Sequence, residues 1–406
     1  MSGPDSVVIV GGGLAGATAA FALRKQGFAG RVVLVSEEDA VPYQRPPLSK
    51  GYLRGETSLE DAYVKPAAEY VAHDIELLRG RLAATLDPAA RRVTLHDGLE
   101  LAYDALLIAT GAGPRPLAAT RAYLPGLHYL RTAGDADALR EAADMAHAIV
   151  VVGGGWVGAE VTASLRQLGH RVTLVSNLPR PLERVLGPEV ADVYRSLHEE
   201  HGVRLVHGRV AALEGERHVE AVRLIDGRRF AADLVVAGVG AAPCLSLALR
   251  GGLDLREGGI AVDASLRTSA PDVYAAGDVA AAWHPRYGRH LRVEHWDNAI
   301  RQGRTAAANI LGAQQTYDRV PYFYSDQFDL GMEYRGYAPQ WDSVVLRGDV
   351  AARRFHAFWL TDGRVVAAMN ANLWDDAKSL RHIVESGEPV DVARLVDASV
   401  PLADAA

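Results

Sequence analysis

Residues 7–16 read Val7-Val8-Ile9-Val10-Gly11-Gly12-Gly13-Leu14-Ala15-Gly16, and residues 149–158 read Ile149-Val150-Val151-Val152-Gly153-Gly154-Gly155-Trp156-Val157-Gly158. Four consecutive β-branched apolar residues predict a strand buried on both faces, as in a parallel sheet. Each run ends in glycines, continues into a small-residue helix and reaches a second apolar strand. That strand is Arg31 to Val35 in the first copy and Arg171 to Val175 in the second. The copies lie too far apart for a solenoid repeat, so they read as two β-α-β units. Each carries the spacing GxGxxG, at Gly11, Gly13 and Gly16 and at Gly153, Gly155 and Gly158. The first glycine permits a tight turn, the second lets backbone approach a pyrophosphate, and the third lets the helix pack on the strand. The unpaired N–H groups of the helix start then face the ligand, which places Trp156 and Val157 at the second site. The spacing predicts two dinucleotide sites.

The residues after each second strand separate the two sites. Glu37 lies about twenty residues beyond Gly16, where an acid binds ribose hydroxyls. The second unit has Leu174-Val175-Ser176-Asn177 there, without an acid. A carboxylate at that place repels the 2′-phosphate of NADPH. Ser176 removes that discrimination and Arg180 is within reach of a 2′-phosphate, so NADH and NADPH both remain open. A nicotinamide dinucleotide delivers hydride, and FAD is the usual acceptor that stays bound. Val273 to Asp278 reads as a strand running into a turn. Its acid, Asp278 after Gly277, suits ribitol hydroxyls at a strand end beside a helix start, which places FAD in the first unit. Leu106 to Gly111 is a further buried strand, ending in a small-residue turn at Thr110 and Gly111. Gly113-Pro114-Arg115-Pro116 reads as a linker. After Pro321 the pattern changes to antiparallel strands at Val344 to Leu346, Phe355 to Leu360 and Val365 to Met369. A helix from Asp375 to Glu385 follows, amphipathic through Ala377, Leu380, Ile383 and Val384.

Composition narrows the chemistry. The 406 residues carry a formal net charge of −7, with both signs mixed along the chain, so nucleic acid is not an expected partner. The first apolar run has strand length and no basic leader, and no stretch is long enough to span a bilayer, so no membrane association is expected and the cytoplasm is the expected location. Cys244 is the one cysteine. The chain therefore lacks the redox-active cysteine pair through which many FAD enzymes pass electrons. Following Pro243, Cys244 reads as an inert, partly buried thiol. No metal site is expected.

Arg45-Pro46-Pro47-Leu48-Ser49-Lys50, Gly153 to Glu160, Gly277-Asp278, Glu294-His295-Trp296 and Ser325-Asp326-Gln327 together resemble the putidaredoxin-reductase-like ferredoxin reductases of bacterial monooxygenase systems. The resemblance runs from Val7 to about Leu402, and the Arg-Pro-Pro-Leu-Ser-Lys run is its most specific element. It implies an α/β, glutathione-reductase-like fold of two Rossmann-type dinucleotide-binding domains plus a C-terminal α+β domain. The FAD domain would be split into residues 1–113 and 241–319, with the NAD(P) domain at 114–240 and the C-terminal domain at 320–406. By the same resemblance, Lys50 lies near flavin N5 and pairs with Glu160, positioning nicotinamide and compensating charge on reduced flavin. Arg45 belongs to the cofactor site, and Arg131 contacts FAD phosphate or adenosine groups. Leu14, Ala15 and Ala83 offer backbone contacts, and Asp278 holds the ribitol. Trp296, after Glu294 and His295, offers its backbone near the pyrimidine edge. Tyr324 stands where several relatives carry tryptophan between flavin and partner, and still shields the ring.

The implied activity passes electrons from NAD(P)H through FAD to a 2Fe-2S ferredoxin that serves a monooxygenase, in a monomer or weak dimer. Ferredoxins are acidic, so Lys65, Arg301, Arg304 and Arg335 are candidates for a steering surface. Two other activities share the same domains. One is an NAD(P)H oxidase or disulfide/peroxide reductase, whose usual cysteine is absent around Tyr43. The other is an apoptosis-inducing-factor-like flavoprotein that responds to NADH.

Overall fold

The two apolar runs become the central strands of two separate parallel sheets. The structure is a computed structural model that describes residues 3–118 and 124–405. The chain divides into two units, one formed by Met1–Arg45, Ser58–Gly113 and Ala241–Arg319, the other by Pro46–Thr57, Pro114–Gly240 and Val320–Ala406.

In the first unit the strand Ser6–Val10 pairs in parallel with Arg31–Val35 on one side and Ala105–Ile108 on the other. The full order is Val273–Ala275, Ala105–Ile108, Ser6–Val10, Arg31–Val35, Ile75–Leu78. Val7, Ile9, Leu106, Leu107 and Ile108 are fully buried. This is why no polar residue alternates within these strands. The helices Leu14–Lys25 and Trp296–Ile310 pack against each other, and their approach needs Gly303, where a Cβ would run into the Ala15 carbonyl. The turn at Gly277-Asp278 lies beside a helix start, since a Cβ on Gly277 would stand 3.1 Å from the Cβ of Ala15 in the first turn of Leu14–Lys25. The turn leads into the strand Ala280–His284. A second helix also reaches it: Gln302 Oε1 of Trp296–Ile310 accepts from the Gly277 N–H at 2.8 Å.

In the second unit Ile149–Val152 lies between Val172–Ser176 and Leu234–Ala237, both parallel to it. The order is Arg204–His207, Val172–Ser176, Ile149–Val152, Leu234–Ala237, Leu127–His128. The C-terminal portion is a five-stranded antiparallel sheet in the order Tyr322–Gln327, Leu330–Gly336, Arg364–Ala371, Arg354–Thr361, Ser343–Asp349. The three strands expected from apolar runs are present, lengthened at both ends by hairpin pairing. Tyr322–Gln327 and Leu330–Gly336 were not legible as strands, because their polar and glycine positions are supported by ladder pairing rather than by an apolar pattern. The expected helix is Ala377–Ser386, with Leu380, Ile383 and Val384 buried.

The short segment Pro46–Thr57 packs within the second unit. Leu53 is buried in a cluster with Leu139, Val161 and Leu165. The Tyr52 hydroxyl donates to Asp137 at 2.8 Å, and Arg54 reaches Ser164 and Gln167 at 3.2 Å each. These anchors place Pro46-Pro47-Leu48-Ser49-Lys50 against the helix Trp156–Gln167. Among the described residues, no helix is long and apolar enough to cross a membrane. None of the described His, Cys, Asp and Glu side chains group so as to hold a metal ion.

Candidate functional site

Each parallel sheet carries a glycine turn at the C-terminal end of its central strand. In the first unit, Gly11 has φ +124°, a conformation that side chains disfavour, and its N–H donates to the Val35 carbonyl at 2.9 Å. A Cβ on Gly11 would collide with the Ala109 carbonyl, and one on Gly16 with the Gly11 carbonyl. Gly13 differs, since no described atom lies within 4 Å of the place its Cβ would take. It is also the N-cap of Leu14–Lys25, where no described side chain caps the helix. The first and third glycines are thus demanded by packing, while the second opens onto space beside uncapped N–H groups at Leu14 and Ala15. That is the cradle a pyrophosphate needs.

The second unit repeats this geometry. Gly153 has φ +114°, and its N–H donates to Val175 at 2.8 Å. A Cβ on Gly153 would meet the Gly238 carbonyl, one on Gly158 the Gly153 carbonyl, and one on Gly155 no described atom within 4 Å. Gly155 caps Trp156–Gln167 without a described side-chain cap. The residues present therefore fit a dinucleotide pyrophosphate in both units.

Around the first cradle, Glu37 is exposed directly after the second strand. Its neighbour Glu38, which sequence reasoning did not single out, ion-pairs with Arg45 at 2.8 Å and accepts from the Tyr43 hydroxyl. Ala83 opens the antiparallel strand Ala83–Asp87. Thr110 Oγ1 donates to the Cys244 carbonyl at 2.9 Å, and the Gly111 carbonyl accepts from the Cys244 N–H at 2.9 Å. The expected partial burial of Cys244 is corrected: the residue is exposed, on a backbone anchored through Thr110 and Gly111. Asp278 is half-buried in the turn after Gly277, which has φ +80°. Glu294 ion-pairs with Arg292. The His295 ring accepts from the Asp297 N–H at 3.2 Å as the helix N-cap, and Trp296 Nε1 donates to Gln44 at 2.6 Å.

Around the second cradle, Val157 is exposed at the helix start, whereas Trp156 turns its ring onto Phe323, with centroids 4.7 Å apart. Ser176 is buried, and its hydroxyl accepts from the Leu178 N–H at 3.2 Å. Arg180 is held by Asp192 at 2.8 Å and by Glu183 at 3.4 Å. The Arg180 hydrogen bond keeps the Asp192 carboxyl below its usual range. The Arg131 N–H donates to Asp135 at 3.0 Å, beside the capping box of Ala133–Met145.

A buried polar cluster lies one turn into the helix Trp156–Gln167. The Glu160 side chain is 8 % exposed, and its Oε2 lies 2.8 Å from Lys50 Nζ. The Ser49 hydroxyl donates to the same oxygen at 2.6 Å, and the Ser325 hydroxyl donates to Oε1 at 2.7 Å. Lys50 Nζ also stands 5.6 Å from the Tyr324 ring centroid. Burial pushes the Tyr324 phenol up to about 12, with the charges of Asp326 and Glu160 adding to the shift, so it is neutral near pH 7. The pair implied by resemblance thus forms, and the structure adds Ser49 and Ser325 to it. A lone serine leaves no periodic trace, so only adjacency to recognised motifs pointed to either. The cluster can hold a carboxylate in one orientation beside a dinucleotide cradle, with a neighbouring cation.

The sequence profile of the pyridine nucleotide-disulphide oxidoreductases matches residues 5–303, and that of the reductase C-terminal domain matches residues 322–406. Putidaredoxin reductase of Pseudomonas putida is 37 % identical over 99 % of this chain and 97 % of its own. The 5,5′-dehydrodivanillate O-demethylase ferredoxin reductase subunit of Sphingobium sp. is 41 % identical over 97 % of each. Among solved structures, the covalent putidaredoxin reductase–putidaredoxin complex aligns with a TM-score of 0.93 at 36 % identity, covering 99 % of this chain and 98 % of that one. With two pyrophosphate cradles of matching geometry and these relatives over nearly its full length, the chain belongs to the pyridine nucleotide-disulphide oxidoreductase family, among the putidaredoxin-reductase-like ferredoxin reductases, whose cofactors are FAD and NAD(P)H.

Proposed function

We propose that this chain takes electrons from NADH or NADPH, passes them through FAD and delivers them one at a time to a 2Fe-2S ferredoxin serving an oxygenase. The observation that carries this reading is the pair of cradles, each open at its middle glycine, in a chain whose single cysteine cannot form a redox-active pair. Such a chain can accept hydride and pass on electrons only through a bound redox group. FAD, when bound, supplies hydride acceptance and one-electron release.

Residues 1–113 and 241–319 would form the FAD domain. There Gly11, Gly13, Gly16, Leu14, Ala15, Glu37, Arg45, Ala83, Thr110, Gly111, Gly277, Asp278, Glu294, His295 and Trp296 would surround the cofactor. Residues 114–240 would form the NAD(P) domain, with the pyrophosphate at Gly153, Gly155, Trp156, Val157 and Gly158 and the adenosine ribose toward Ser176 and Arg180. Arg131 would add a cation toward a cofactor phosphate. Lys50 and Glu160 would orient the nicotinamide, the ammonium and carboxylate holding opposite ends of a polar group. Tyr324 would cover this pair from residues 320–406.

The partner assignment follows from the relatives, which are named as a putidaredoxin reductase and as the ferredoxin reductase subunit of an O-demethylase. Lys65 and Arg304 are exposed, and Arg301 and Arg335 are ion-paired with Asp297 and Glu333. We assign these cations to steering an acidic ferredoxin. The cytoplasm is the proposed location.

Stopped-flow mixing of the FAD-loaded chain with NADH and with NADPH should bleach the flavin spectrum. Coupled cytochrome c reduction should then rise on adding a 2Fe-2S ferredoxin. No bleaching with either nucleotide rejects the first half of this reading. Bleaching without any gain from ferredoxins, together with fast oxygen uptake, rejects the second.

A further inference from the structure

Glu160 sits at the end of a longer polar chain than its ion pair with Lys50. Ser325 and Gln327 alternate onto one face of the strand Tyr322–Gln327, while Asp326 between them is exposed. Ser325 Oγ lies 2.7 Å from Glu160 Oε1, Gln327 Nε2 lies 3.3 Å from Ser325 Oγ, and His198 Nε2 lies 2.8 Å from Gln327 Oε1. Ser325, Gln327 and His198 are all at most 1 % exposed. His198 comes from the helix Glu183–Glu200, so three elements meet in this chain.

The direction of every bond follows from the charge at one end. An ionised carboxylate can only accept, so Ser325 must give its single proton to Glu160. The serine oxygen can then only accept, which turns the Gln327 amide N–H toward it. The Gln327 carbonyl is left to accept from His198, so the imidazole must carry its proton on Nε2. Burial drives the His198 pKa down to about 4, with the Gln327 bond opposing, so the ring is neutral near pH 7 and has one proton to place. Its Nδ1 is buried with no hydrogen-bond partner among the described residues, consistent with an unprotonated nitrogen there. A single polarity therefore satisfies the chain from His198 to Glu160.

We propose that Ser325, Gln327 and His198 are positioning residues for the Glu160 carboxylate. They hold Oε1 from behind, so that Oε2 stays turned to Ser49 and Lys50. The inference rests on the reading that the Lys50–Glu160 pair orients nicotinamide. It assigns to the Ser-Asp-Gln motif a purpose that the two glycine cradles leave unexplained. Removing Ser325 would free the carboxylate to rotate without removing its charge or its lysine.

The test joins flavin reduction kinetics to a readout that needs no turnover. In the FAD-loaded full chain, S325A should slow hydride transfer at saturating NADH or NADPH by about tenfold, as misorientation in a preorganised site does. The nucleotide Kd should stay within about twofold, since the cradle is untouched. Q327L should act in the same direction. In an E160A background, S325A should add nothing, because the group it positions is gone. Nitrogen-15 NMR of the unsubstituted protein should show His198 as the neutral Nε2–H tautomer at pH 7. A wild-type hydride rate in S325A overturns the proposal, whatever Q327L does. So does an undiminished S325A effect in E160A, or an Nδ1–H or doubly protonated His198. If E160A and K50A themselves leave hydride transfer unchanged, the reading of the pair has failed and the inference falls with it. If they slow transfer while S325A does not, only the inference has failed.

Discussion

At the scale of single residues, the choice between nicotinamide cofactors turns on Arg180. Its guanidinium faces both Asp192 and Glu183, and those carboxylates offset the charge that a 2′-phosphate would need. The structure therefore predicts NADH over NADPH in kcat/KM, even though Ser176 supplies no repelling acid. Removing the competing charges in a D192N/E183Q variant should raise kcat/KM for NADPH by about tenfold, with little change for NADH. A variant still equally selective would place the 2′-position elsewhere. Buried histidine gives a second residue-scale outcome. The His198 pKa falls from 6.5 to about 4 through burial. Its unfolded form binds a proton first as pH drops, so stability is full above about 6.5 and is lost progressively toward 4. The shift corresponds to roughly 3 kcal/mol over that window. Burial lowers His128, His284 and His356 in the same direction. Denaturant melts at pH 7 and pH 5 should show the loss, and H198F should flatten it.

At the scale of elements, the two glycine turns separate packing from binding within one motif. Gly13 and Gly155 have φ near −83° and −82° and open space where a Cβ would stand. Alanine at either is compatible with the fold and should cost less than about 1 kcal/mol as an N-cap change. Each methyl group would nevertheless occupy the pyrophosphate's place. G13A should purify folded but depleted of FAD. G155A should keep its flavin and raise the nicotinamide Kd at least about tenfold. Gly16 and Gly158 behave oppositely, since a Cβ there strikes the backbone of the same turn. G16A and G158A should fail in thermal melts before they fail in binding. Equal melting losses at all four positions would show that the middle glycines are packing residues too. The elements also explain what the sequence hid. Ser325-Asp326-Gln327 was named for its resemblance, not as part of a strand, and only the pairing of Tyr322–Gln327 with Leu330–Gly336 sets Ser325 and Gln327 on one face.

At the scale of the whole molecule, a chain of net charge −7 must meet an acidic ferredoxin through local cations. Ferredoxin reduction should therefore fall several-fold between roughly 0.05 and 0.5 M salt, while flavin reduction by NADH changes little. Charge reversal at exposed Lys65 or Arg304 should lower the apparent association rate more than the limiting rate. Ionic-strength series with a 2Fe-2S ferredoxin check both, and salt-independent reduction would remove the steering role. What the amino-acid order determined alone was local: buried strands, glycine turns, the absence of a cysteine pair and the helix Ala377–Ser386. Each of these is set by side-chain pattern or backbone freedom within a dozen or so residues, where periodicity speaks directly. What only the tertiary structure decided was which polar groups share a site. Ser49, Glu160, His198 and the neighbouring pair Ser325 and Gln327 lie far apart in the chain and carry no common pattern. Their meeting depends on how Pro46–Thr57, two helices and an antiparallel strand pack within one unit. A hydrogen bond constrains a distance in space and leaves no spacing in sequence.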